Sequence, residues 1–253
     1  MLEQANITTQ FCRLMATDLY VLADLHAVEL TVERMRELQA LEFPSILALN
    51  SDDQAYLLTV QQMESCLREW GKLPDSLVDD LASDFADIYL NGKFHSSPNE
   101  SVWLDEEELV CQQPMFQVRE WYAGHDLEVP NWRRMPDDHL VNELLFVAAL
   151  LNKAAVDHPT QILSDAACFM DEHLLRWLLP FGKRVADRCN TPFYAALALL
   201  TALYVEQLRD LLAGILNAPR PSYEEIEGRM HAHHHLASRP EPIRYYPGIA
   251  PSW

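Results

Sequence analysis

Apolar residues recur at three- and four-residue steps along most of the chain, the period of one buried helix face. Phe11, Leu14, Met15, Leu19, Leu22 and Leu25, with His26, make the first stripe. Residues 31–41 and 55–70 repeat the pattern with charges on the opposite side. Pro74 and Asp75 open another amphipathic segment, in which Leu77, Val78, Leu81, Phe85, Ile88 and Tyr89 share a face. Asn91-Gly92 ends it, since both residues tolerate a left-handed cap. The stretch 93–100, with Ser96-Ser97-Pro98-Asn99, is a loop by composition.

Helical spacing resumes at Pro114, runs through Tyr122 and stops at Gly124. A second loop, 128–135, carries Pro130 and the pair Arg133-Arg134. Pro136-Asp137-Asp138 is a helix-start signal, with proline near the first turn and acids where the helix dipole favours them. Leu140, Leu144, Val147, Ala148 and Leu151 form the buried face that follows. Residues 164–179 and 192–216 predict two further long helices, with Pro180 expected to interrupt between them. No solenoid-length repeat is visible. The expectation is an all-α, single-domain bundle of about eight to ten helices over residues 1–218. An irregular tail over 219–253 follows it.

Composition supports helices. Seven glycines in 253 residues is less than half the usual ~7%, and phosphate-cradling loops and tight hairpins both consume glycine. Neither G-x-G-x-x-G nor G-x-x-x-x-G-K-[ST] occurs, so the two commonest nucleotide fingerprints are absent. After residue 218 the chain changes character, with six of the fifteen prolines and four of the ten histidines.

The 38 acids and 19 Lys/Arg give a formal charge of −19. Four acids and four arginines lie after residue 218, so the whole excess belongs to the helical part. Such a charge argues against nucleic acid or an anionic membrane surface as the main partner, and it attracts cationic protein segments. The five cysteines are odd in number and widely spaced, with no C-x-x-C, which suits a reducing compartment rather than a disulfide framework. The first basic residue is Arg13, so no charged n-region leads into an apolar stretch. The uncharged run Cys189 to Val205 falls short of a membrane span and reads as a buried helix. A cytoplasmic protein without stable membrane insertion is expected.

Asp138-His139 is the most chemically suggestive pair. It admits a metal-dependent hydrolase, which needs further ligands from neighbouring helices; His26, His158 and His173 are each solitary. The plainer reading is that Asp138 caps a helix and His139 is a half-buried histidine. His231, His233, His234 and His235 are a second candidate for metal binding through imidazole nitrogens, with no carboxylate or cysteine placed to complete a fixed geometry. Trp70, Trp121 and Trp177 lie in amphipathic segments and read as core; Trp103, Trp132 and Trp253 lie in or beside loops, where aromatics more often serve recognition. Arg133-Arg134 lies mid-chain with no apolar run after it and reads as a loop contact.

The run Ser97-Pro98-Asn99-Glu100-Ser101-Val102-Trp103-Leu104-Asp105 and the later Met135-Pro136-Asp137-Asp138-His139-Leu140 resemble a known pair of motifs. They are similar to those of the TorD/DmsD family of chaperones for molybdoenzymes, whose second motif reads Glu-Pro-x-Asp-His about thirty residues after the first. His173-Leu174, Trp177 and Phe181, then Thr191-Pro192-Phe193-Tyr194, extend the similarity over about residues 10 to 216. Met135 stands where the family has Glu, and the tail after Pro219 has no counterpart.

The resemblance implies an all-α fold, no catalysis and no cofactor of the chain's own. It implies a cytoplasmic chaperone that binds the twin-arginine leader or apoprotein of a molybdopterin oxidoreductase subunit, assists cofactor loading and prevents premature export. The family motif falls on Pro136, Asp138 and His139; the aromatic and aliphatic positions before the first motif fall on Phe85, Ile88 and Tyr89; Pro98, Asn99 and Trp103 form the adjoining loop. A leader has a cationic end and an apolar stretch, so its receptor needs an acidic rim beside an apolar groove. Phe85, Ile88, Tyr89 and Trp103 are expected to line the groove, and Asp137 with Asp138 to supply the acid. Carboxylates pair bidentately with guanidinium, favouring arginine over lysine. A monomer and a homodimer both remain open.

Overall fold

The computed structural model describes residues 2–71 and 75–237, the side chains of 2–5, 75 and 231–237 apart. The chain divides into two compact units, Met1–Pro219 and Arg220–Trp253.

Among the described residues the first unit has ten α-helices. α1 (Leu2–Ala27), α2 (Val32–Ala40) and α3 (Gln54–Glu69) follow the first apolar stripes. Thr31 accepts the amide of Arg34 and Asp53 that of Tyr56, so both later helices begin on a side-chain cap. α4 (Asp75–Phe85) runs into a π-helical turn, Ala86–Leu90, and the chain turns away at Gly92, whose φ is +59°. After a loop come α5 (Ser101–Leu104), α6 (Gln113–Gly124) and α7 (Leu140–Ala154). α8 (Pro159–Phe169) passes through a second π-helical turn, Met170–Leu174, into α9 (Leu175–Arg188), and α10 (Pro192–Leu216) completes the unit.

Pro180 does not interrupt the helix: α9 continues through it, and the irregularity falls earlier, at the π-turn. α1 lies along α7, and α10 along α9 and α3, with α8 against α7 and α10. α10 is the centre of the core; Phe193, Tyr194, Leu197, Leu200, Tyr204 and Leu208 are all fully buried. Each contributes about 1.5–3 kcal/mol by leaving water. α9 can approach this helix because Gly182 has no side chain, as a Cβ there would stand 2.9 Å from the Ala198 carbonyl oxygen.

Several acids are interior and structural. Asp84 accepts the amides of Asn190 and Thr191 at the start of α10. Asp18 accepts the amides of Ala48 and Leu49 and the hydroxyl of Tyr204. Arg209 and Asp171 form a fork-to-fork pair, Nε to Oδ1 at 2.9 Å and a terminal nitrogen to Oδ2 at 2.7 Å. Trp70 and Trp177 are buried as expected, Trp121 and Trp103 half-buried, and Trp132 exposed. No helix among the described residues is long and apolar enough to cross a membrane.

Within the second unit, part of the segment read as irregular is helical, α11 (Tyr223–Ala237). Ser222 and Glu225 explain it: each donates its backbone amide to the other's side chain, the reciprocal arrangement of a capping box. Pro74 and Trp253 lie outside the described residues.

Candidate functional site

The two motif segments, 97–105 and 135–140, lie side by side. The amide of Leu140 donates to the Pro98 carbonyl at 2.8 Å and that of Glu100 to the Asp138 carbonyl at 2.9 Å. Between these bonds Asn99 and His139 form an antiparallel bridge, the one isolated bridge among the described residues. A proline heads each segment, and His139 is extended (φ −80°, ψ 137°) before α7 begins.

Asp138 is fully buried and does not cap α7. Its Oδ2 accepts the amide of Ser101 at 2.8 Å and the hydroxyl at 2.5 Å, holding the first turn of α5 from across the seam. The Ser101 hydroxyl oxygen in turn accepts the amide of Gln112, just before α6. Burial raises the Asp138 carboxyl above its ordinary range, and the Ser101 bonds oppose that. The cap of α7 is His139, whose Nδ1 accepts the amide of Val141 at 3.2 Å. An accepting Nδ1 requires a ring without a proton there, and burial lowers the His139 pKa to about 4.

Behind the seam is a fully buried polar cluster: Glu100, Glu143 on α7, and His173 in the second π-turn. His173 Nδ1 lies 3.0 Å from both oxygens of Glu100. Glu143 Oε2 accepts the indole N–H of Trp177 at 3.4 Å. Burial first, then the nearby Glu100 and Asp138, hold the Glu143 carboxyl well above the usual carboxylate range, which favours its protonated form.

Asp137 faces another way. Its Oδ2 accepts Nε of Arg119 at 3.2 Å and a terminal guanidinium nitrogen at 2.7 Å, and its carbonyl accepts the Tyr122 hydroxyl. The first π-turn carries Tyr89, which packs on Phe85 with ring centroids 4.8 Å apart. The Tyr89 hydroxyl meets His26 Nδ1 at 2.5 Å, while His26 Nε2 lies 2.8 Å from the Thr201 hydroxyl. Thr201 gives its own proton to the Leu197 carbonyl, so Nε2–H donates to Thr201 and Nδ1 accepts from Tyr89. Burial, and secondarily His139, lower the His26 pKa to about 3.

The two motif segments thus meet as an interior seam rather than an open groove, while Phe85 and Tyr89 pack toward Tyr194. Phe85, Ile88, Pro98, Asn99, Asp137, Asp138 and His139 are buried, and Tyr89, Trp103 and Pro136 are half-buried. Trp103 stacks near Trp177, donates its indole N–H to the Ser97 carbonyl, and carries the Arg184 guanidinium 4.6 Å above its ring. A cavity of about 1070 Å³, lined among others by Phe11, Val156, Leu163 and Ile215, contains none of these residues. Glu143, His173 and Arg119 were given no site role from the sequence. Glu143 had a readable signal, since it falls on the buried Leu140–Leu144–Val147 face where a carboxylate has no reason to be without a partner. No group of three or more His, Cys, Asp or Glu among the described residues is placed to hold a metal ion. The side chains of His231, His233, His234 and His235 lie outside the described set.

The sequence model of a family described as nitrate reductase delta subunit matches residues 49–182. A "Chaperone protein TorD" of Psychrobacter sp. (strain PRwf-1) is 31% identical over 206 residues, which cover 78% of this chain and 90% of that protein. One from Vibrio vulnificus (strain YJ016) is 29% identical over 187 residues, 72% and 86% of the two chains. One from Shewanella oneidensis is 30% identical over 210 residues, 78% and 90%.

Proposed function

The chain belongs to the nitrate reductase delta subunit family, with TorD chaperones among its relatives, and from that premise we propose that it is a molybdoenzyme-maturation chaperone acting on the twin-arginine leader or apoprotein of its client. It works in the cytoplasm, catalyses no reaction, and holds the precursor back from export while the client's cofactor is loaded.

The observation that carries this reading is the pairing of the two motif segments through Asn99 and His139. Asp138 and Ser101 hold the seam and His139 caps the helix that leaves it, so the motifs have a mechanical task that needs no reactive group. The half-buried Tyr89, Trp103 and Pro136 are the members with surface left for a partner. The exposed run Glu106-Glu107-Glu108 follows α5 directly and supplies an acidic rim for a cationic leader. A large half-buried aromatic is the kind of side chain that dominates binding energy.

Calorimetry against the leader peptide of the molybdoenzyme encoded beside this chain's gene tests the reading. Saturable binding is expected, weakened roughly tenfold or more by Trp103→Ala with helix content retained. Absence of binding to that leader and to the full precursor overturns it.

A further inference from the structure

Two arginine–aspartate pairs in this molecule look alike on a contact list and differ in build. Arg209 and Asp171 are both 4% exposed, and Nε and one terminal nitrogen each meet a different carboxylate oxygen. That is how a permanent interior pair is made, because a desolvated charge is tolerable only when it is paired. In the other pair the Asp137 side chain is 4% exposed but Arg119 is 39% exposed. Both of its bonds to Asp137 fall on one oxygen, Oδ2. The carboxylate is fixed and the arginine is the loose partner.

The surroundings of Arg119 are those of a receptor for a planar cation. Its guanidinium carbon lies 5.6 Å from the Phe116 ring centroid and 5.0 Å from that of Trp132. Both rings are exposed, at 47% and 38%, and each has the guanidinium within the ~6 Å reach of a cation–π contact. Trp132 holds a second guanidinium, Arg133, at 4.9 Å. A buried carboxylate at the base and two exposed aromatic walls select a flat, forked cation over an ammonium.

We propose that Asp137, Phe116 and Trp132 form a guanidinium-binding cage that the chain fills with its own Arg119, and that an arginine of the bound leader takes Arg119's place. This rests on the chaperone reading above. Exchange of one arginine for another in the same cage changes the contacts little, so the cage contributes selectivity for arginine while the rest of the leader supplies affinity. Arg119 acts as a placeholder: it keeps Asp137 paired when no client is present, and it lowers the apparent affinity for the client by the fraction of time it occupies the cage.

Arg119→Ala tests this with two probes on the full chain. The first is the client's twin-arginine leader peptide beside a version with both arginines replaced by lysine. The second is methylguanidinium at millimolar concentration, read by thermal unfolding. If Arg119 fills its cage nine-tenths of the time, the variant binds the arginine peptide roughly tenfold more tightly than wild type, with a wider margin over the lysine peptide. Methylguanidinium should raise the melting temperature of Arg119→Ala saturably, and that rise should vanish in Arg119→Ala/Asp137→Asn. Should Arg119→Ala fail to fold unaided, recovery of folding by methylguanidinium supports the cage and absence of recovery overturns it. Trp132→Ala in the otherwise wild-type chain is then expected to narrow the arginine-over-lysine preference; an unchanged preference counts against the cage. A wild-type chain that binds no leader overturns the chaperone reading and the exchange together. A wild-type chain that binds, beside a folded Arg119→Ala that gains nothing, overturns the exchange alone.

Discussion

Replacing Glu143 by Gln should stabilise this protein at alkaline pH, although it removes a fully buried side chain's natural chemistry. Burial and the facing Glu100 and Asp138 keep Glu143 protonated in the folded chain. The unfolded chain releases that proton at an ordinary glutamate pKa near 4.5. Folding above the ordinary glutamate range must therefore take up a proton, at a cost of about 1.4 kcal/mol for each pH unit until the folded pKa is reached. The sign follows from the raised folded pKa: the group's contribution is fully present below the unfolded pKa and is lost as pH rises toward the folded one. Glutamine is isosteric and always neutral. Its amide oxygen accepts the Trp177 indole N–H in place of the carboxyl, and it brings no charge to face Glu100.

The window from pH 7 to 8 separates this effect from His26 and His139, which are neutral when folded and largely neutral when unfolded there. Urea unfolding across that window should show wild-type stability falling with pH because of Glu143, by at most about 1.4 kcal/mol per pH unit. The Glu143→Gln variant should lack that component and match or exceed wild type at pH 8, with an unchanged m-value. Parallel pH curves for the two proteins, or a variant less stable throughout the window, would refute a protonated Glu143.

Below pH 6.5 the opposite slope is expected from the histidines. Folded pKa values of about 3 for His26 and about 4 for His139 mean that the unfolded chain takes up protons first. Each then costs about 2 kcal/mol by pH 5. His139→Asn keeps a side-chain acceptor for the Val141 amide and should flatten the acid limb by one group's share; an acid limb unchanged from wild type would count against a neutral His139. Gly182→Ala should lower stability by about 1–3 kcal/mol, because its Cβ meets the Ala198 carbonyl and forces α9 off α10. A change within about 0.5 kcal/mol in denaturant unfolding would show that the two helices part easily.

The helices were legible because their signal is one of period, and period survives without knowledge of partners. The stripes around Leu14, Leu67 and Leu144 predict α1, α3 and α7 to within a few residues at most ends. What period cannot say is whether a face lines a groove or packs on a neighbour. Leu77, Val78, Leu81, Phe85, Ile88 and Tyr89 keep one face through the π-turn, and that face is spent on the core: Phe85 and Tyr89 meet Tyr194 on α10, and Ile88 is fully buried. Asp138 and His139 show a second limit. Both suit the start of a helix, and only the presence of Ser101, 37 residues away in sequence, decides that the carboxylate looks across the seam and the imidazole caps instead.

The same distinction bears on the charge. The formal −19 counts Asp18, Asp84, Glu100, Asp138, Glu143 and Asp171 alongside the surface acids, yet all six are interior. Glu143 carries a proton, Asp171 is cancelled by Arg209, and Asp84, Asp18 and Asp138 are held by amides and hydroxyls. In the proposed function, a cationic leader approaching from water would be attracted mainly by exposed acids such as Glu106-Glu107-Glu108, since these act through the solvent at encounter distance. The acids of the motif take no part in that attraction. Asp137 is the exception, because its pairing with Arg119 leaves a guanidinium at the surface that a second guanidinium can replace. Raising the salt concentration should therefore slow leader association strongly while leaving the arginine-over-lysine preference nearly intact, since steering is screened beyond ~10 Å and a carboxylate at contact is not.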